Sequence, residues 1–199
     1  MIIRNPVSQL SQDSAGLLMS KSEFHEIQDF EDGYRFELIR GVVVVTPPPS
    51  HSEVKANETL GILINRYVEE HLSGNCIDDT LFEREIETDP SLRRTDRSIW
   101  IGLGRTPDPD TDIPAIIVQF VSPGKAAHYR DYEEKRDEYL NVGVKEYWVV
   151  DRFDRTMTVF RPDVEPQVVK EDEIYNTSLM PGFELPLKKI LAAADRYKK

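Results

Sequence analysis

From residue 115 to residue 121 the chain reads Ala-Ile-Ile-Val-Gln-Phe-Val, and it then breaks at Ser122-Pro123. So short an apolar run, rich in β-branched side chains and without polar alternation, has the signature of a strand buried on both faces. A central strand of that kind needs covering elements above and below it, which restricts the chain to a layered α/β architecture. One polar side chain, Gln119, interrupts the run, and its amide oxygen is of a type that can hold a cation.

The flanking patterns supply the covering elements. Residues 34–38 and 42–46 read as a hairpin turning at Arg40-Gly41, and Pro47-Pro48-Pro49 takes the chain out of that sheet. Ser50 and Glu53 form a capping-box pattern that opens a helix with His51 in its first turn. Leu60, Leu63, Ile64, Tyr67 and Val68 continue it to about residue 72. Strands follow in the region 77–86 and at 97–101, separated by the turn-prone Thr88-Asp89-Pro90-Ser91, with Asp96 at the entrance of the second. Residues 102–114 form a loop. After the central strand, residues 128–142 are helical with Gly143 as a suitable stop, and strands at 146–150, 156–161 and 167–171 precede a last helix at 187–197. Ser22 caps a short helix through Phe24 and Ile27 that ends near Gly33. Before it, residues 1–21 form a polar leader that is partly ordered at best. The reading is a single domain over residues 22–199, a mixed central β-sheet flanked by helices.

Chemistry-bearing patterns are sparse. With 199 residues, 39% of them apolar, there is enough chain for one sizeable core. A single cysteine, Cys76, excludes an intramolecular disulfide and favours a reducing compartment. Residues 1–20 lack a basic start and a signal-length apolar core, and no run approaches bilayer-spanning length, so the expected location is the cytoplasm, with no membrane contact. A net charge of −11 argues against a surface that attracts nucleic acid all over, although Arg93, Arg94, Arg97 and Arg105 can form a local basic patch. There is no glycine-rich phosphate loop, no paired cysteine set, and no histidine spaced to activate Ser122.

Taken in order, several segments resemble the Uma-two family of restriction-endonuclease-like proteins, within the PD-(D/E)XK nuclease superfamily. They are Tyr34-Arg35-Phe36-Glu37-Leu38-Ile39-Arg40-Gly41, Pro47-Pro48-Pro49-Ser50-His51, Thr95-Asp96-Arg97, Gln119-Phe120-Val121-Ser122-Pro123-Gly124 and Asp131-Tyr132-Glu133-Glu134-Lys135. The likeness continues through residues 139–151 and ends near residues 179–186. It covers about residues 22–190. It implies a restriction-endonuclease-like α/β core, often a homodimer, that acts on DNA as substrate through a Mg2+ (or Mn2+) dependent phosphodiesterase site.

On that resemblance Asp96 is the leading metal ligand, Gln119 occupies the position of the family's second acidic ligand, Glu37 corresponds to an early glutamate, and Lys135 supplies the positive charge. His51 is a candidate to orient substrate or water. The chemistry is coherent, since a cation neutralises charge developing on phosphorus and activates a water, provided that carboxylate oxygens converge on it. Two departures stand out. Val121 replaces the lysine that many PD-(D/E)XK enzymes place two residues after the second acid, and an amide at 119 weakens Mg2+ binding. Plainer readings accompany each residue: Asp96 capping a turn, Glu37 paired on an exposed hairpin face, His51 at a helix start, and Lys135 in an i,i+4 pair with Asp131. Two functions follow, a DNA endonuclease weakened or inactivated at Gln119, or a catalytically silent homologue that binds nucleic acid or protein.

Overall fold

The computed structural model describes residues 8–197. Its elements in chain order are β1 (Gln9–Leu10), α1 (Lys21–His25), β2 (Asp29–Phe30), β3 (Arg35–Ile39), β4 (Val42–Thr46), α2 (His51–Glu70), β5 (Ile77–Phe82) and β6 (Glu85–Glu87). There follow β7 (Ser91–Arg94), β8 (Arg97–Ile101), β9 (Ile116–Phe120), α3 (Lys125–Tyr129), a π-helical turn (Arg130–Glu134) and α4 (Lys135–Asn141). The last elements are β10 (Glu146–Asp151), β11 (Thr156–Arg161), β12 (Val164–Lys170), β13 (Ile174–Tyr175), β14 (Leu185–Pro186) and α5 (Leu187–Asp195). The described residues divide into two compact units, one made of those up to Pro48 with Glu87–Arg94, the other of Pro49–Ile86 with those from Thr95 on.

The smaller unit is built on the hairpin that the sequence predicts. Strands β3 and β4 pair antiparallel from Arg35 opposite Thr46 to Ile39 opposite Val42. The two-residue connection places both Arg40 (φ 51°) and Gly41 (φ 77°) in the left-handed region, as a primed hairpin turn requires. Strand β7 adds to β3 through Leu38 opposite Leu92. It is short and lies directly behind the Thr88–Ser91 turn, so the turn was legible in the sequence and the strand was not.

The stretch expected as a leader is different in its described part. Residues 1–7 lie outside the described residues, but β1 pairs in parallel with β2, and Leu10 is fully buried among Phe24, Phe36, Leu38, Val43 and Leu92. A lone leucine among polar neighbours has no periodicity to reveal it. The α1 cap is Ser20 rather than Ser22: its hydroxyl accepts from Glu23 N, and Glu23 Oε2 accepts from Ser20 N at 2.7 Å. Spacing decides this, because a capping box needs its acid three residues after the cap. The helix stops at His25, well before Gly33, and β2 takes up part of the difference.

The larger unit holds a six-stranded sheet in the order β12-β11-β10-β9-β8-β5. Strands β9 and β10 are parallel and all other neighbours antiparallel, so the sheet is mixed. Every residue of β9 is buried. Ile116, Val118 and Phe120 face a core with Leu60 and Ile64 of α2 and Ile190 and Leu191 of α5. On the opposite face, Ile117 and Val121 meet Tyr139 of α4 with Tyr147 and Val149 of β10. This is the central, doubly covered strand expected from its composition. Alternation puts Gln119 on the α4 face, the one polar side chain of β9. Among the described residues no helix is long and apolar enough to cross a membrane.

Candidate active site

Three of the residues singled out in the sequence meet in the larger unit. Asp96 immediately precedes β8, and the antiparallel register of Arg97 opposite Val118 brings it beside Gln119. Asp96 Oδ2 accepts from Gln119 Nε2 at 2.8 Å and from the Phe120 amide at 2.7 Å. Lys135 Nζ donates to Gln119 Oε1 at 3.3 Å. All three are buried, with Lys135 only 2% exposed. The result is a chain of donors and acceptors running from ammonium through amide to carboxylate.

The neighbours dictate which way the amide points. Turned over, it would set its oxygen against a carboxylate and its NH2 against an ammonium, and both contacts would be repulsive in a site removed from water. Lys135 reaches Gln119 from the start of α4, directly after the π-helical turn. The sequence reads this region as one regular helix, whereas the wider turn changes the angular phase of all that follows, and such turns are often found where a functional side chain must be aimed.

A second layer fixes Asp96 from behind. Asn57 of α2 donates from Nδ2 to the Asp96 carbonyl at 2.8 Å and accepts at Oδ1 from Arg97 Nε at 2.7 Å. Arg97 Nη1 donates to Thr80 Oγ1 at 3.1 Å. Burial lowers the Arg97 guanidinium to about 10, and it stays charged at neutral pH. Gly61 makes room for it, since a Cβ there would lie 2.8 Å from Arg97 Nη2. Gly61→Ala gains about 1 kcal/mol of helix propensity. Forcing the anchored guanidinium aside costs about 1–3 kcal/mol, so we expect a net loss of stability by urea unfolding. A stabilised variant would show that Arg97 is not held in place.

The other candidates are placed differently. Glu37 belongs to the smaller unit, where it is 5% exposed rather than on an open hairpin face, and its Oε1 accepts from the Arg94 amide at 2.8 Å. His51 is exposed and stacks on Tyr197 with ring centroids 5.8 Å apart, and among the described residues it makes no contact with Asp96, Gln119 or Lys135. Arg93 and Arg97 are buried, and Arg105 is bound to Asp112 at 2.6 Å, so these three do not form the open basic patch that the arginine-rich sequence suggested. Glu53, read only as a capping acid, does more than cap. Its Oε2 accepts from Ser50 N, while its Oε1 accepts the Ser122 hydroxyl at 2.5 Å, tying the start of α2 to the exit of β9. No sequence signal joined these two residues, 69 positions apart.

A divalent cation, as the resemblance implies, would require oxygen atoms converging between Asp96 and residue 119. Here Gln119 turns its nitrogen toward Asp96 and its oxygen toward Lys135, and Asp96 Oδ2 already holds two N–H donors. These residues, so arranged, do not fit a cation bridging Asp96 and Gln119. A separate carboxylate and imidazole cluster, His128, Asp151 and Asp154, does bring metal-capable atoms together at the carboxyl end of β10.

Comparisons with known proteins bear on the fold and the family. A structural neighbour, the crystal structure of a "putative nuclease belonging to DUF820" from Anabaena variabilis ATCC 29413, is 17% identical and superposes with a TM-score of 0.70 over 87% of this chain and 97% of the other. The shared architecture is the restriction-endonuclease-like fold. No curated relative matches the sequence. The model of the Uma2 family, described as "Putative restriction endonuclease", matches residues 22–188, nearly the same span as the resemblance carried by the motifs. The chain belongs to the Uma2 restriction-endonuclease family.

Proposed function

We propose that this chain is a DNA-directed endonuclease homologue whose phosphodiester-hydrolysing centre lies at Asp96, Gln119 and Lys135 and is attenuated by the amide at 119. Family membership supports a nuclease. The observation that carries the attenuated form is the closed hydrogen-bond chain from Lys135 through Gln119 to Asp96. With an acid at 119, two buried carboxylates would face each other and call for a cation between them. With the amide, the same positions satisfy one another by direct hydrogen bonds. What the amide form keeps is positional: the Lys135 ammonium is held from α4 against Gln119 of the sheet, and Asp96 is fixed through Asn57 and the Phe120 amide. The single cysteine and the family resemblance support a cytoplasmic homodimer acting on DNA.

Cleavage of plasmid and single-stranded DNA in Mg2+ or Mn2+, with the native chain, Gln119→Glu, and Gln119→Glu combined with Asp96→Ala, tests this reading. We expect Gln119→Glu to cleave at least a hundredfold faster than the native chain, and the double variant to lose that gain while keeping its circular dichroism. A folded Gln119→Glu protein that binds Mg2+ and cuts neither substrate would instead mark a silent homologue retaining the fold for binding.

A further inference from the structure

Strands β9 and β10 run parallel, and in open α/β sheets the space beyond the carboxyl ends of parallel strands is where ligands bind. A cavity of about 400 Å³ occupies that position here, lined by Ser122 from the β9 exit, His128 and Tyr132 from the α3 region, Asp151 at the end of β10, and Phe153 and Asp154 from the turn that follows. Within it His128, Asp151 and Asp154 each present one ligand atom, and these atoms all lie within 4.8 Å of one another. Two ligands on opposite sides of a cation at about 2.1 Å stand about 4.2 Å apart, so small inward rotations would close the cluster on an ion.

The state of each side chain points the same way. Asp151 is 2% exposed. Its Oδ1 accepts from the Phe153 and Asp154 amides at 2.7 and 3.1 Å, which locks the carboxylate. Its Oδ2 makes no hydrogen bond among the described residues, and the residue lines the cavity, so this oxygen is left for a ligand there. His128 is stacked flat on Tyr132, with centroids 4.1 Å apart and planes 12° apart, so its ring is held while neither ring nitrogen is hydrogen-bonded within the described residues. The Asp154 carboxylate is exposed and likewise makes no hydrogen bond or ion pair there.

We propose that His128, Asp151 and Asp154 form a binding site for a first-row transition dication, with its remaining coordination positions open to the cavity. The donor set selects the class. Mg2+ and Ca2+ prefer all-oxygen surroundings, whereas one imidazole with two carboxylates suits Mn2+, Fe2+, Co2+ or Zn2+. The site uses none of the atoms of the Asp96, Gln119 and Lys135 chain, and it stands whether or not that centre hydrolyses DNA.

Calorimetric titration of the full chain with CoCl2, with visible absorption of the bound ion as a second readout, tests the assignment. His128 and Asp154 are exposed, so His128→Ala and Asp154→Asn should fold normally. We expect one Co2+ per chain, affinity lowered at least tenfold in each of these variants, binding kept in Asp96→Asn, and no displacement by a hundredfold excess of Mg2+. Absence of Co2+ binding, binding undiminished in both His128→Ala and Asp154→Asn, loss only in Asp96→Asn, or ready displacement by Mg2+ would each overturn it.

Discussion

Gln119→Glu is expected to lower the stability of the protein in metal-free buffer and to make that stability respond to Mg2+, which the native chain's should not. The substitution replaces the Gln119 nitrogen, now 2.8 Å from Asp96 Oδ2, with an oxygen. Two buried carboxylates in hydrogen-bonding contact cannot both ionise freely, so one carboxyl pKa must rise. Lys135 offsets one of the two charges. An upward shift of one to two pKa units corresponds to about 1.4–2.8 kcal/mol. The sign follows from proton binding: a carboxyl with a raised folded pKa holds its proton more tightly in the native state, so the penalty is absent below the ordinary glutamate range and grows as pH rises through it toward the folded value. The variant should therefore match the native chain near pH 4 and fall behind it at pH 7–8. A cation bound only by the folded state returns about 2.7 kcal/mol at one hundred times its Kd. Thermal unfolding in EDTA and in Mg2+ measures the effect. Equal responses of the two proteins to Mg2+ would remove residue 119 from any metal site of this chain.

Truncating Glu146 should cost more. This residue, 3% exposed at the start of β10, accepts four hydrogen bonds: Arg161 Nε at 2.8 Å and Thr177 Oγ1 at 3.0 Å on Oε1, and Trp148 Nε1 at 2.8 Å and Tyr175 OH at 2.9 Å on Oε2. Burial first, and then the neighbouring Glu146 charge, raise the Tyr175 phenol, so it stays a donor at any physiological pH. Glu146→Ala removes the one anion on which these donors converge and leaves a partly buried guanidinium without its partner, a change of about 3–5 kcal/mol. Glu146→Gln keeps the volume but turns an NH2 group toward two donors, and about 1–3 kcal/mol should be lost. Urea unfolding followed by Trp fluorescence reports both, since Trp148 is a member of the cluster. A loss below about 1 kcal/mol for Glu146→Ala would mean that the surrounding donors find other partners.

How far the chain could be read in advance depended on the range of the interaction concerned. The central strand, the Arg40-Gly41 hairpin turn, the Ser50 capping box and the β8 bounds follow from local rules of period, turn chemistry and capping. Leu10 was lost because one leucine in a polar stretch has no period, and β7 because a strand of four residues behind a turn leaves almost none. Asp96, Gln119 and Lys135 were recognisable as types at family spacing. Glu53 was visible only as a cap, for its bond to Ser122 spans elements distant in sequence.

The sequence by itself therefore determined the α/β layering and the doubly covered strand, because hydrophobic period is a property of short segments, while the family resemblance singled out Asp96, Gln119 and Lys135, which the structure brings into contact. Only the tertiary structure decided that Gln119 gives its nitrogen to Asp96 and its oxygen to Lys135, and that Asp151 and Asp154 come together with His128. Those facts depend on the β8 to β9 and β9 to β10 registers and on the phase set by a π-helical turn, which long-range packing fixes and no local pattern encodes.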